Sequence, residues 1–414
     1  MQISDPVRLL LRLGCFVPFL VVTPLANWVS EREQLQSIFM SDYDRMAGAL
    51  LRKQAVWIGD AADERPLKVS YLGRAPRKEV LVLGSSRAME ISPAWFEPRD
   101  GFNAAVRLGG LDDYVALFQL CLETGKLPQF MILELNPALT SRLVERRDWR
   151  ILAPYFDRAL ARYQMRKPYR RVLSGLLAFQ QLRFNMRALV GVPWAVSTRG
   201  KTDKCEVLPD GQEFFGAVQD QTPGELRDRV TRNLSNADSE LNDARAQSRP
   251  EEGDLELLRR FLDDILSRRI RLVVFLAPVH PIAYGYYAKV GGFDEHWIRK
   301  ELADRGVSVI GSYSPTIAGA VDSDFFDDVH PRPEICKRLF AKANIINESG
   351  GATSYRQTAM DGKSLQRPLL RSQTGQMLEH AGYSSFTQTP HYRQTRPREL
   401  LWRVQTAPPS PVTR

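Results

Sequence analysis

The chain has 414 residues, of which 43% are hydrophobic, and its formal net charge is +9. This length is enough for one sizeable hydrophobic core with additions, or for two domains. The positive charge is weak evidence for nucleic-acid binding, because no recognition motif accompanies it, and we expect no nucleic acid among the partners.

An apolar segment near the N-terminus, residues 9–28, has about the length of a membrane-spanning helix. Arg8 and Arg12 lie at its start and Trp28 at its end, a pattern that places the N-terminus in the cytoplasm. No small-residue cleavage site follows, which favours an uncleaved anchor over a removed signal peptide. Residues 1–30 are therefore predicted to be a single-pass anchor in the cytoplasmic membrane, with the rest of the chain in the periplasm. A buried amphipathic helix is the alternative.

The next segments predict a layered domain. Residues 31–77 mix short helical and polar pieces and are expected to be a lead-in to a domain over residues 78–346. The apolar runs of that domain lie at residues 80–83, 102–106, 130–135, 272–276 and 307–310, and helical patterns lie at residues 111–122 and 255–266. This alternation predicts an α/β fold, a doubly wound parallel sheet of about five strands. In such sheets, functional sites gather at the carboxyl ends of the strands.

Two polar motifs lie at the ends of this domain. Ser85 and Ser86 follow the first apolar run, and Asp327 and His330 precede a helical pattern. A serine becomes a nucleophile at neutral pH when a neutral imidazole accepts its proton and a carboxylate fixes the imidazole tautomer. Each motif alone is also typical of an ordinary turn or capped loop. Their order and their context favour a catalytic triad.

Together these motifs resemble the SGNH (GDSL-type) hydrolase superfamily, over about residues 80–343. The resemblance implies that Ser86 is the nucleophile, His330 the general base and Asp327 the carboxylate that orients it. Ser85 stands where the family has the aspartate of Gly-Asp-Ser. The same replacement occurs in membrane-anchored branches related to polysaccharide O-acetylation. The resemblance as a whole implies an SGNH/flavodoxin-like sheet.

The resemblance also implies an oxyanion hole formed by loops after the first three strands. Its candidate donors are the backbone N–H of Ser86, Gly109 or Gly110 after the second strand, and the side-chain amide of Asn136 after the third. The two glycines lie one or two residues later than the family places its glycine. His280, just past the fourth strand, is a further candidate for lining the pocket.

Residues 140–252 form an insertion into the domain. Its first half is basic, and such a face either meets anionic lipid or acidic polysaccharide or is simply a solvated helical surface. The basic residues are Arg158, Arg162, Arg166, Lys167, Arg170, Arg171, Arg183 and Arg187. Residues 347–414 are rich in Ser, Thr, Gln, Pro and Arg and are predicted to be a disordered basic tail.

The four cysteines neither demand nor exclude a disulfide, and no Cys/His cluster has zinc spacing. We therefore expect no metal and no cofactor.

These features predict a membrane-anchored, extracytoplasmic SGNH-like esterase or acyltransferase, with O-acetyl groups of an envelope polysaccharide as candidate substrate. A membrane-bound acyl-transfer protein is a candidate partner. The alternative is a non-catalytic SGNH-like scaffold that binds glycan or an assembly partner. A nucleic-acid binder is disfavoured because the anchor would export the domain.

Overall fold

A computed structural model describes residues 33–58, 63–136, 151–165, 194–196, 205–215, 221–236, 252–289 and 293–346. The predicted anchor (1–30), the predicted tail (347–414) and much of the insertion lie outside these ranges. Within them, no helix combines the length and the apolar character that crossing a membrane requires.

The chain is α/β, with a five-stranded parallel sheet at its centre. The strands are β2 (Val80–Leu83), β3 (Gly101–Asn103), β4 (Phe130–Glu134), β8 (Arg271–Leu276) and β9 (Ser308–Gly311), in the order β3-β2-β4-β8-β9. Every side chain of β2 and β4 is buried, as expected for central strands that are covered on both faces. The parallel sheet predicted from the apolar runs is thereby confirmed.

Ten α-helices lie in the described ranges. They are α1 (Glu33–Leu51), α2 (Glu64–Arg74), α3 (Leu111–Glu123), α4 (Ala153–Arg162), α5 (Pro223–Asn236), α6 (Glu252–Ser267), α7 (Pro281–Ala288), α8 (His296–Ala303), α9 (Pro315–Ala318) and α10 (Pro333–Lys342). Proline occupies one of the first helical positions of several of them, where its fixed backbone angle suits a helix start.

Strand β3, predicted from the apolar run at residues 102–106, is shorter than that run. It ends at Asn103 rather than Val106, and the Asn103 side chain bonds to the backbone that follows: its Oδ1 accepts the N–H of Ala105 at 2.9 Å. Its amide nitrogen also donates to the carbonyls of Ala88 and Ile91, both at 2.8 Å. These bonds join the loop after β3 to the segment that follows β2.

A second, antiparallel sheet combines the lead-in with the insertion. Its strands are β1 (Val56–Ile58), β5 (Trp194–Val196), β6 (Cys205–Val207) and β7 (Glu213–Phe215), in the order β5-β1-β6-β7. The sequence did not predict this sheet, because each strand has only three residues.

Two helices of the predicted lead-in pack into the main hydrophobic core. Side chains of α1 and α2, including Tyr43, Met46 and Leu67, belong to that core.

The turn between β6 and β7 packs against the edge strand β3. The N–H of Asn103 donates to the Asp210 carbonyl at 2.7 Å, and the buried ammonium of Lys68 donates to the Gly211 carbonyl at 2.6 Å. Gly211 has φ +80, and a Cβ there would lie 2.3 Å from the Asn103 carbonyl oxygen, so only glycine fits. The insertion thereby covers an edge that would otherwise expose unpaired backbone groups.

Phe340 on α10 joins several layers of the core. Its ring centroid lies 5.6 Å from that of Phe96 and 5.2 Å from that of Phe275, and its side chain is fully buried. We expect Phe340→Ala to lower the free energy of unfolding by about 3–5 kcal/mol through lost burial and a residual cavity. Chemical denaturation measures this change. The matched control is Ile317→Ala, whose side chain is 68% exposed and whose loss should change stability by less than about 0.5 kcal/mol. Equal losses in the two variants would contradict the burial argument.

Candidate active site

The turn after β2, residues 84–88, presents a serine hydroxyl at the carboxyl edge of the sheet. A Cβ at Gly84 would lie 2.6 Å from the Ala88 Cβ and 2.8 Å from the Glu134 Cβ, so the close packing beneath the turn requires glycine. Ser85 is fully buried, and its hydroxyl caps a short 3₁₀ helix, Ser86–Ala88. Ser86 is only partly buried. The turn therefore offers Ser86 for chemistry and uses Ser85 for structure.

The loop of residues 325–331, here the triad loop, carries the acid and the base. An isolated bridge between Phe325 and Pro331 closes it, and the Phe326 N–H donates to the His330 carbonyl at 2.9 Å. Within the loop, Asp327 Oδ1 accepts the N–H groups of Val329 and His330, both at 2.9 Å. These two bonds hold the Asp327 carboxylate in place independently of its contact with the imidazole.

Ser86, His330 and Asp327 form a hydrogen-bonded chain. His330 Nε2 lies 2.8 Å from Ser86 Oγ, and His330 Nδ1 lies 2.7 Å from Asp327 Oδ2. A carboxylate only accepts, so the proton belongs on Nδ1, and the lone pair of Nε2 is free to accept the serine proton. The structure thus brings together the three residues that the sequence indicated, from positions 244 residues apart.

The charges around His330 favour the protonated form of its imidazole. Burial alone would lower the pKa of His330, but the charge of Asp327 and its hydrogen bond outweigh burial and raise it above 6.5. Burial alone would likewise raise the pKa of Asp327. The charge of His330 and the hydrogen bonds from the loop instead lower it well below its usual range.

The candidate oxyanion donors differ in their availability. The N–H of Gly109 donates to the Val106 carbonyl at 2.9 Å, and that of Gly110 to Asp113 Oδ2 at 3.0 Å, so both are already paired. The N–H of Ser86, at the first position of its 3₁₀ helix, has no hydrogen-bond partner in the described part of the chain. Asn136 lies two residues beyond β4, half-buried at the same edge of the sheet.

His280 is a core residue rather than a wall of an open pocket. Its ring is fully buried, packs 5.5 Å from the Phe325 ring, and accepts the Ile282 N–H through Nδ1 at 3.3 Å, which caps α7. Burial lowers its pKa. Its backbone N–H donates to the Asp328 carbonyl at 3.1 Å, and this bond holds the triad loop against the start of α7.

The other acidic residues near His330 have separate partners. Asp324 pairs with Arg338 at 3.0 Å, and Asp328 accepts from Asn233 at 3.3 Å. Burial and the nearby charge of Asp327 raise the pKa of Asp328. Of these carboxylates, only Asp327 contacts the imidazole. In the described ranges, no three His, Cys, Asp or Glu side chains are arranged to bind a metal ion.

Two groups of residues around the site were missed by sequence reasoning. Arg87, in the turn after β2, and Glu134, the last residue of β4, are both buried. A signal existed for Glu134, which is a charged residue within an apolar run that predicts a buried strand. The other group lies on helix α5 of the insertion. Arg229 Nη2 donates to the Phe326 carbonyl at 2.5 Å, and Asn233 binds Asp328 as described above. Nothing in the local pattern of α5 indicates these contacts.

The basic face predicted for the insertion is partly neutralised within the chain. Arg158 pairs with Glu123 at 2.6 Å and Arg162 with Asp264 at 2.5 Å. The remaining basic residues of that face lie outside the described ranges.

Comparisons with protein-family models, with curated proteins and with solved structures found no match to this chain.

The coupling between Asp327 and His330 predicts a direction of pH dependence. Because Asp327 raises the pKa of His330, Asp327→Asn should lower it, and histidine-selective NMR titration measures the change. In the parent, the raised pKa adds stability below pH 6.5 that is lost as the pH rises through the folded-state pKa. Asp324→Asn is the control, since Asp324 binds Arg338 instead. A shift of equal size in both variants would argue against the specific pair.

Proposed function

We propose that this chain is an SGNH-like serine esterase or acyltransferase. The observation that carries the proposal is the continuous hydrogen-bonded path from Ser86 Oγ through the His330 imidazole to the Asp327 carboxylate. Two further features support it. The sheet order is that of flavodoxin-like doubly wound sheets, and Ser86 lies at the point where the strand order reverses, where such folds bind ligands.

The geometry supports a two-step acyl transfer. Ser86 Oγ attacks the ester carbonyl carbon while its proton passes to His330 Nε2. The bond from the carbonyl carbon to the leaving alcohol then breaks, and His330 returns the proton to that alcohol. Water or an acceptor hydroxyl next loses its proton to His330 and attacks the acyl-serine carbonyl. Free acid or a new ester leaves, and the proton returns to Ser86.

Negative charge on the carbonyl oxygen has to be stabilised in each step. The Ser86 N–H is one suitable donor, since it has no partner among the described residues and lies next to the nucleophile. The side-chain amide of Asn136 is the proposed second donor, at the end of the neighbouring strand. Loss of one such donor typically lowers the rate about 100-fold to 1,000-fold.

The proposed setting is the outer face of the cytoplasmic membrane. It rests on the apolar segment at residues 9–28 and the arginines before it. A site tethered there can act on O-acetyl groups of an envelope polysaccharide. A membrane-bound acyl-transfer protein is the proposed partner.

One observation favours the alternative of a non-catalytic scaffold that binds glycan or an assembly partner. The amides of Gly109 and Gly110 are both bonded within the chain, which leaves fewer backbone donors for an oxyanion. A scaffold would bind acetylated polysaccharide but show no ester turnover at any pH.

Ser86→Ala tests the enzymatic proposal directly. It should abolish hydrolysis of a small acetyl ester and prevent covalent labelling by a fluorophosphonate probe, because the attacking oxygen is gone. Peptide mapping of the labelled parent should place the adduct on Ser86.

Thr124→Ala is the control, because among the described residues its hydroxyl binds the Leu120 and Cys121 carbonyls at the end of α3, and activity should persist. Full activity in Ser86→Ala, or an adduct on another residue, would rule out this nucleophile.

The orientation in the membrane has a separate test. A reporter enzyme that is active only outside the cytoplasm should work when fused after Arg77, because the arginines before the apolar segment retain the N-terminus inside. A second reporter that is active only in the cytoplasm should be silent at the same junction. The reverse pattern would contradict the proposed anchor.

A further inference from the structure

Arg87, the residue directly after Ser86, binds two other loops at the edge of the sheet. Its side chain is 4% exposed. Its Nε donates to the Val329 carbonyl at 3.2 Å, in the peptide group that joins Val329 to His330. Its Nη2 donates to the carbonyls of Ala277 and Pro278, the latter at 3.4 Å, in the loop after β8. The Arg87 guanidinium therefore links the turn that carries Ser86 to the loop that carries His330.

Glu134, the last residue of β4, is the counter-charge for Arg87. It is fully buried, and its Oε2 accepts the N–H of Ser85 at 2.8 Å. Its Oε1 lies 3.9 Å from Arg87 Nη1 and has no hydrogen-bond partner in the described ranges. Burial raises the pKa of Glu134, while the nearby charge of Arg87 opposes that rise. The carboxylate thus contacts the turn on both sides of Ser86.

A third element completes the surroundings of Arg87. The Tyr313 ring centroid lies 5.6 Å from the guanidinium carbon, within the range of a cation–π contact. The Tyr313 hydroxyl donates to the Leu135 carbonyl at 2.7 Å, which fixes the ring against the end of β4. These contacts leave the guanidinium in a single position.

We propose that Arg87 and Glu134 are positioning residues that set the distance between Ser86 Oγ and His330 Nε2. The proposal rests on the proposed function, because that distance matters when Ser86 is the nucleophile. Arg87 suits the task because its planar fork presents five donors in fixed directions. A lysine has the charge but donates from one atom on a flexible stem, so it cannot bind both loops with the same geometry.

The test uses the full chain with Arg87→Lys, Arg87→Met, Glu134→Gln and the double variant Arg87→Met/Glu134→Gln. The double variant removes both buried charges, so it avoids leaving one unpaired. The control is Arg338→Met, whose side chain is 52% exposed and pairs with Asp324, a carboxylate that does not contact the imidazole. Three readouts are needed: kcat and KM for a small acetyl ester against pH, the rate of fluorophosphonate labelling, and the NMR titration of His330.

Arg87→Lys should lower kcat and the labelling rate about 10-fold to 100-fold, with little change in KM, because small misplacements of reacting groups have effects of this size. Arg87→Met should also move the His330 titration and the acid limb of the rate profile to higher pH, because the charge of Arg87 lowers the pKa of His330. Glu134→Gln should lower kcat without that upward shift. The double variant should lose no more kcat than Arg87→Met alone, since the pair acts as a unit. Arg338→Met should match the parent throughout.

Parent-like kcat and labelling in both Arg87 variants would overturn the proposal. Losses that merely follow the fraction of unfolded protein, with the His330 titration unchanged in Arg87→Met, would overturn it as well. If the parent itself neither hydrolyses ester nor reacts with the probe, the proposed function fails. A crystal structure of Arg87→Lys then decides the positioning role: a distance from Ser86 Oγ to His330 Nε2 longer than the 2.8 Å of the parent supports it, and an unchanged distance contradicts it.

Discussion

Parallel pairing of the central strands is the constraint on which the site depends. Parallel neighbours cannot be joined by a tight turn, so each connection returns to the same end of the sheet before the next strand begins. All five strands therefore finish at one edge. The turn with Ser86, the carboxylate of Glu134 and the ring of Tyr313 follow or end three of these strands. Their proximity is a consequence of topology before any side-chain contact is considered.

Burial of charge at this edge links stability to chemistry. An ionised side chain away from water needs a partner of opposite charge or several hydrogen bonds. Arg87 meets that need through three carbonyls and Glu134 through the Ser85 N–H. Asp327, which is only partly buried, accepts two N–H groups of its own turn. The bonds that make these charges tolerable also restrict the positions of the serine and the imidazole.

The insertion is part of this arrangement rather than a separate addition. Helix α5 contacts the triad loop and the short 3₁₀ helix before it, Asp322–Asp324: Arg227 pairs with Asp322 at 2.7 Å, and Asn233 binds Asp328. The β6–β7 turn covers the edge of β3, next to the segment that follows Ser86. Helix α5 and the β6–β7 turn, which both belong to the predicted insertion, thus stabilise the loops of the candidate site.

Local chemistry alone determined a substantial part of this protein. Apolar runs located β2, β4, β8 and β9 to within about one residue, because central parallel strands have to be apolar on both faces. The bonds between Asp327 and His330 span three residues of a single turn, and the prediction of this pair used that spacing together with the resemblance to SGNH hydrolases.

Tertiary structure decided the rest. The 2.8 Å contact between Ser86 and His330 and the pairing of Arg87 with Glu134 both depend on how loops from different strands pack. A sequence pattern specifies periodicity along one segment. It does not specify which donor of one loop meets which acceptor of another, because that choice is made by the register of the sheet and the packing above it.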